Sequence, residues 1–115
     1  MLLETQQINR AIAEALTAQG FERRLLWVWW HDEGQFEGEP KDFTDPRTLL
    51  PALEAWTDKN HAGWTLWKWQ VNNDSPSITH AASVFIVYGD RWEGASNEPF
   101  EALRNAFAAA LGVNI

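Results

Sequence analysis

The chain has 115 residues and a net charge of −7, from 16 acidic and 9 basic residues, and it contains no cysteine. This length predicts a single domain over residues 1–115, and the lack of cysteine excludes disulfides, thiolate metal sites and cysteine nucleophiles. The negative charge argues against direct nucleic-acid binding, because phosphate neutralisation needs clustered lysine and arginine.

The first predicted element is an amphipathic helix over about residues 3–19. Ile8, Ile12 and Leu16 recur at every fourth position, which places them on one face of a helix. Gly20 is a suitable end, since glycine readily takes the left-handed conformation that closes many helices.

A tryptophan-rich strand is predicted next, over residues 24–31. Residues 25–30 are apolar at every position and include Trp27, Trp29 and Trp30. A strand with one wet face would alternate apolar and polar residues. The continuous run therefore predicts that both faces of the sheet are covered.

The stretch that follows, residues 32–45, is here named the acidic segment. Its six acids are Asp32, Glu33, Glu37, Glu39, Asp42 and Asp45, against the single base Lys41. We expect an ordered loop or a short extended hairpin arm. Two interpretations stay open: an ordinary solvated connection, or an arm that binds a basic surface, because loops on rigid scaffolds often carry binding and tryptophan is enriched at interface hot spots.

A second helix is predicted to open at Asp45 and Pro46, since aspartate caps free backbone amides and proline suits the first helical position. Pro51 conflicts with this start, because proline inside a helix removes a hydrogen bond. Either the helix starts late, near Leu50, or its first turn is irregular. Its end is expected near Lys59. The apolar spacing comes from Leu49, Leu50, Leu53 and Trp56.

Two strands, over residues 63–71 and 78–88, are predicted to pair as an antiparallel hairpin around the turn at residues 72–76. Side chains alternate between the two faces of a strand. One side of the first strand then carries Trp64, Leu66, Lys68 and Gln70, and the other carries Thr65, Trp67, Trp69 and Val71.

The last helix is predicted to begin at a cap formed by Ser96 or Asn97 and to end at Gly112. Glu98 and Glu101 fall in its first turn, where the helix dipole favours negative charge. Its apolar stripe consists of Phe100, Leu103, Phe107, Ala110 and Leu111.

The element order α-β-α-β-β-α predicts a mixed α/β (α+β) fold, a three-layer α/β/α sandwich with a three-stranded sheet and helices on both faces. In this fold four of the eight tryptophans fill the space between the sheet and its helices, namely Trp27, Trp29, Trp64 and Trp67. Trp30, Trp69 and Trp92 remain at the margins as candidate contacts with a partner, and Trp92 is expected in a loop and partly exposed.

Several local features of the chain occur in a fixed order. They are the helix that leads into a tryptophan-rich strand (Ile8 to Trp30), Phe43-Thr44-Asp45, Gly63-Trp64, Gly89-Asp90, and Glu93-Gly94-Ala95 with Pro99 before an alanine-rich helix. In this ordered set the chain resembles the phage ABA-sandwich domain proteins, a family of small bacteriophage and prophage proteins, although Pro46 and Pro51 interrupt its second helix. The resemblance implies no established activity and no catalytic residues. It implies roles such as virion accessory, gene regulation or inhibition of host defence.

Catalytic and metal-binding patterns are weak. His31, His61 and His80 lack the spacing of zinc ligands, and no serine lies in a nucleophile elbow. The chain has no glycine-rich phosphate loop. We therefore expect no enzyme, no metal and no cofactor, while a small enzyme with an unrecognised site stays a lesser alternative.

The sequence thus favours a non-enzymatic protein that binds a host or phage protein with a basic surface, for example as an inhibitor of a host defence complex. It has neither an apolar stretch of membrane-spanning length nor a secretory signal, so we expect it in the bacterial cytoplasm. The alternative is a structural or accessory protein that self-associates through an open sheet edge, with a homodimer as the simplest form. The candidate interaction residues are Trp30, Asp32, Glu33, Glu37, Glu39, Asp42, Trp69 and Trp92.

Overall fold

A computed structural model describes residues 5–28, 38–68 and 80–113 of the chain. Within these ranges the predicted α+β class is confirmed: three helices accompany one three-stranded antiparallel sheet with the order β1-β2-β3. The helices are α1 (Thr5–Ala18), α2 (Pro46–Asn60) and α3 (Pro99–Ala110), and the strands are β1 (Ala62–Lys68), β2 (His80–Ile86) and β3 (Arg91–Ser96). No helix in the described ranges is long and apolar enough to cross a membrane.

The first β element differs from the strand predicted over residues 24–31. Arg23–Leu25 is a short 3-10 helix, and Trp27 forms an isolated antiparallel bridge with Pro40 outside the sheet. This bridge takes the place of the β element predicted between α1 and α2, so the predicted order α-β-α-β-β-α is found. One further strand, β3, precedes α3. Leu26 and Trp27 are buried although they do not belong to a strand. A continuous apolar run is therefore compatible with a buried turn as well as with a strand. Residues 29–31 lie outside the described ranges.

The third strand of the sheet, β3, lies between the predicted hairpin and the last helix, where no strand is predicted. β3 pairs with β2 from Phe85 opposite Arg91 to His80 opposite Ser96. Trp92 therefore lies in a strand and not in a loop. The sequence of this stretch alternates between charged and apolar residues: Arg91 and Glu93, which are exposed, flank Trp92, which is half-buried.

The predicted helix signals are confirmed at several ends. Gly20 follows α1 in a left-handed conformation, with φ of 92°. The Asp45 side chain accepts a 2.9 Å hydrogen bond from the Arg47 amide and caps α2, which starts at Pro46 and continues through Pro51. A late start near Leu50 is not observed. The bond that Pro51 cannot make would go to the carbonyl of exposed Arg47 in the first turn, where water can reach it.

The hydrophobic core lies on one face of the sheet. Gly94 of β3 packs directly on α3, because a Cβ added there would come within 2.4 Å of the Ala102 carbonyl oxygen. On another side of α3, the ring of Phe107 meets that of Trp56 of α2 edge to face, with centroids 5.7 Å apart. Helix α3 thus packs against both the sheet and α2.

Candidate interaction surface

The sheet has one face that points away from α3, here named the outer sheet face. Alternation and strand register place three residues of each strand on it: Gly63, Thr65, Trp67, Ala81, Ser83, Phe85, Arg91, Glu93 and Ala95. The buried cluster formed with the helices includes none of its hydrophobic members, whereas Ala82, Val84 and Trp64 from the opposite face lie in that cluster or pack against it. The middle strand is buried on the outer sheet face as well, with Ala81 at 6% and Ser83 at 0% exposure. The exposed part of the outer sheet face therefore lies along β1 and β3, at Thr65, Trp67, Arg91, Glu93 and Ala95.

Trp67 is the largest side chain on the outer sheet face and is 38% exposed. The prediction that it fills space beside the helices, as Trp27 does, is wrong. Trp64 and Trp67 point to opposite sides of β1, and only the side of Trp64 packs against the hydrophobic core. Trp27 is buried at 6% exposure, and its indole N–H donates a 3.0 Å hydrogen bond to Thr17.

The polar side chains of the outer sheet face are paired with one another. The Thr65 and Ser83 hydroxyls are 2.8 Å apart across the β1–β2 pair. Arg91 Nε lies 3.4 Å from Glu93 Oε1, with both side chains more than half exposed. Such an exposed ion pair contributes little to stability, but it leaves the face electrically neutral.

Aromatic side chains mark both ends of the outer sheet face. The row at one end contains Trp67, and the row at the other end contains Phe85. The Phe85 ring lies over Gly63, where an added Cβ would come within 2.8 Å of the ring. The outer sheet face thus combines two aromatic side chains, a residue class that is enriched at protein interfaces, with polar and charged side chains between them.

The described part of the acidic segment lies at a different place, beside α1. Glu39 is exposed and borders a surface cavity of about 230 Å³. The cavity is otherwise lined by Gln6, Gln7, Asn9, Arg10 and Pro40. Among the described residues of its lining, Glu39 is the acid and Arg10 the base.

Asp42 is held by the fold. One of its carboxylate oxygens accepts hydrogen bonds from the Thr44 amide at 2.9 Å and the Thr44 hydroxyl at 2.6 Å, and from Asn9 Nδ2 at 3.4 Å. Burial alone raises the pKa of Asp42, but the bonds from Thr44 and Asn9 and the charge of Arg104 lower it below its usual value. The carboxylate therefore stabilises the turn that precedes α2.

The three predicted interaction residues that the structure describes, Glu39, Asp42 and Trp92, are not brought together as one site. Trp30, Asp32, Glu33, Glu37 and Trp69 lie outside the described residues. Glu39 and Asp42 lie beside α1, whereas Trp92 is half-buried against the core on the face of the sheet opposite to Trp67. Sequence reasoning missed Trp67 as a surface residue, although polar Thr65 two positions earlier was a signal for that face.

The histidines of the described ranges occupy structural positions. His61 is the C-cap of α2 and has a left-handed backbone, with φ of 51°. His80 pairs with Lys68 and Ser96 in the sheet. Across residues 5–28, 38–68 and 80–113, no group of three or more histidine, cysteine or acidic side chains is placed to hold a metal ion.

Comparison with models of known protein families, with curated proteins and with solved structures finds no match for this chain. The resemblance to the phage ABA-sandwich proteins therefore stays a prediction from the sequence, as do the roles that it implies. A proposal for the function therefore rests on the chemistry of the protein surface.

Proposed function

We propose that this chain acts by binding another macromolecule, and not by catalysis, with the outer sheet face as its contact surface. The observation that carries the proposal is the 38% exposure of Trp67 on β1, on the sheet face that points away from α3. An indole in water is a large apolar area that association would bury. Tryptophan is also among the residues that dominate binding energy at interfaces.

The charge of the chain favours a protein partner with a basic surface. The net charge of −7 repels phosphate backbones and attracts lysine and arginine. In the phage context implied by the resemblance, such a partner is a host or phage protein in the bacterial cytoplasm, for example a component of a host defence complex.

The outer sheet face is too small to be the whole contact. Three strands of six or seven residues span roughly 300 Å² at the usual strand spacing and rise. A stable interface buries about 800 Å² on each partner. The contact must therefore extend onto neighbouring surface.

Self-association through a sheet edge is the second candidate. Within the described residues β1 and β3 are the two outer strands, and β1 exposes Thr65, Trp67 and Lys68. An exposed edge is a template for pairing with another chain. Light scattering over a range of protein concentrations tests this candidate: a constant monomer mass contradicts self-association, and a mass that rises to that of a dimer supports it.

Affinity capture from a bacterial lysate tests the proposal. Wild type is compared with Trp67→Thr, which keeps a good strand former at this position, and with Glu14→Gln, a matched control on the exposed side of α1. We expect a protein that wild type and the control retain, that Trp67→Thr loses, and that binds again after purification. Equal recovery by Trp67→Thr contradicts the outer sheet face as the contact. A further variant, Glu39→Gln with Asp42→Asn, tests the acidic segment separately.

A further inference from the structure

The turn between β2 and β3 presents Tyr88 in an unusual way. Its side chain is fully exposed, at 106% of the reference area, and its backbone is left-handed, with φ of 61°. This conformation strains any residue that has a Cβ, and a bulky side chain seldom adopts it. A glycine stands at the next position, Gly89, whose own φ is not in this region.

The strained turn is firmly held. The Ile86 amide donates to the Asp90 carbonyl at 2.8 Å, and the Gly89 amide donates to the Ile86 carbonyl at 2.8 Å. The Val87 amide donates to the His61 carbonyl at 3.0 Å. These three bonds fix the backbone on both sides of Tyr88, so its ring projects from a rigid base.

The corner formed by His61, Val87 and Tyr88 continues the outer sheet face. His61 and Val87 occupy the next register position after Ala62 and Ile86, which puts Val87 on the same side as Phe85. Val87 is 50% exposed. The corner thus adds an isopropyl group and a phenol ring to a contact that the outer sheet face cannot complete alone.

The charges around the corner are mixed, but both nearby cations already have partners: Arg91 pairs with Glu93, and Lys59 Nζ donates a hydrogen bond to the Gln19 carbonyl oxygen. Asp90 closes the turn, and Asp58 lies about one helical turn before His61 on α2. Both are exposed, and neither forms an ion pair with any described residue. Together with the net charge of −7, they disfavour a second copy of this chain and favour a cationic partner.

We propose that the corner of His61, Val87 and Tyr88 inserts into an apolar pocket of a partner protein whose rim carries lysine or arginine. Tyr88 is the anchor: it combines a large ring with few rotatable bonds, which limits the entropy lost on binding. This inference rests on the proposed function and names the chemistry of its partner. Strain at Tyr88 is then retained for binding and not for folding.

The test is selection of binders from a displayed library of random peptides against the full-length chain. The selected peptides are then measured on wild type, Tyr88→Gly, Tyr88→Phe and Trp67→Thr. We expect apolar or aromatic peptides flanked by lysine or arginine. Their affinity should fall about tenfold or more on Tyr88→Gly, as for loss of an interface anchor, and persist on Tyr88→Phe. Thermal unfolding of Tyr88→Gly should occur at the wild-type temperature or above, which separates a lost contact from a lost fold.

The variants distinguish the two proposals. Peptides that depend on Trp67 but bind Tyr88→Gly as they bind wild type overturn the corner and leave the outer sheet face standing. Peptides that depend on Tyr88 but not on Trp67 support the corner and contradict the outer sheet face. Selection of peptides without basic residues, or of none that depends on Tyr88, also overturns the corner.

Discussion

The Val87 amide donates a 3.0 Å hydrogen bond to the His61 carbonyl oxygen and so extends the β1–β2 ladder by one pair beyond Ala62 and Ile86. This bond joins two segments that each contain a left-handed residue other than glycine, His61 and Tyr88. They are the two such residues among those that the structure describes. At His61 this conformation ends α2, as left-handed residues do in many helices, whereas at Tyr88 it lies in a strand-connecting turn.

Relief of the strain at Tyr88 should stabilise the chain. Tyr88→Gly removes the left-handed penalty, and we expect the free energy of unfolding to rise by up to about 1 kcal/mol after the entropy cost of glycine is subtracted. Tyr88→Ala keeps the Cβ and should give no gain. Chemical denaturation of both variants checks this, and equal stabilities of the glycine and alanine variants would contradict the strain.

Gly94 should tolerate no side chain. A Cβ there would lie 2.4 Å from the Ala102 carbonyl oxygen and 2.5 Å from the Ala106 amide nitrogen. Both are backbone atoms of α3, so Gly94→Ala must push the helix off β3, and we expect a loss of about 2–4 kcal/mol in the free energy of unfolding. Ala95→Ser, on the exposed face of the same strand, is the control and should change stability little. A Gly94→Ala variant as stable as this control would show that α3 does not pack on β3 in this way.

Asn9 should be needed for the link between α1 and the start of α2. Its buried side chain accepts a 3.2 Å hydrogen bond from the Phe43 amide and donates to Asp42. Asn9→Ala leaves the buried Phe43 amide without this partner, which should cost about 1–3 kcal/mol. Gln6→Ala, at an exposed position of the same helix, should cost much less. Similar losses in the two variants would argue against the link.

Acid should destabilise the fold partly through Asp42. The hydrogen bonds from Thr44 and Asn9 and the charge of Arg104 outweigh desolvation and lower the pKa of Asp42 in the folded chain. The carboxylate therefore adds stability above its unfolded pKa, and this is lost as the pH falls through the folded pKa. Between about pH 5 and pH 2, the unfolding free energy of Asp42→Asn should fall less steeply than that of wild type. Thr44→Val should show an intermediate slope. An unchanged slope in Asp42→Asn would show that this carboxylate is not held by the folded state.

Local signals in the sequence predicted the parts of the fold that depend on local chemistry. Gly20 ends α1, and Asp45 with Pro46 opens α2, because capping and left-handed glycine act within a few residues. The hairpin of β1 and β2 follows from alternation and turn residues in the same way. The strand predicted for the apolar run before the acidic segment is not observed at Leu26 and Trp27, which are buried without belonging to a strand.

The exposure of individual side chains could not be predicted from such local signals. Alternation separates Trp64 from Trp67, but the side that is covered depends on where α3 packs, which is a long-range property of the fold. The sequence predicts a loop and not a strand around Trp92, because β3 is short and contains a glycine, and both features weaken a strand pattern. Tyr88 gave no signal, since tyrosine is not a residue expected in a left-handed turn.

The most direct test of the binding surface is an amide and indole NMR titration of the labelled chain with the partner purified after affinity capture. Binding through the outer sheet face and its corner predicts that the largest shifts occur at the Trp67 indole and at the amides of Phe85 and Val87, while the buried Trp27 indole stays unchanged. Shifts centred instead on the exposed side of α1, around Arg10 and Glu14, would contradict the assignment of the surface.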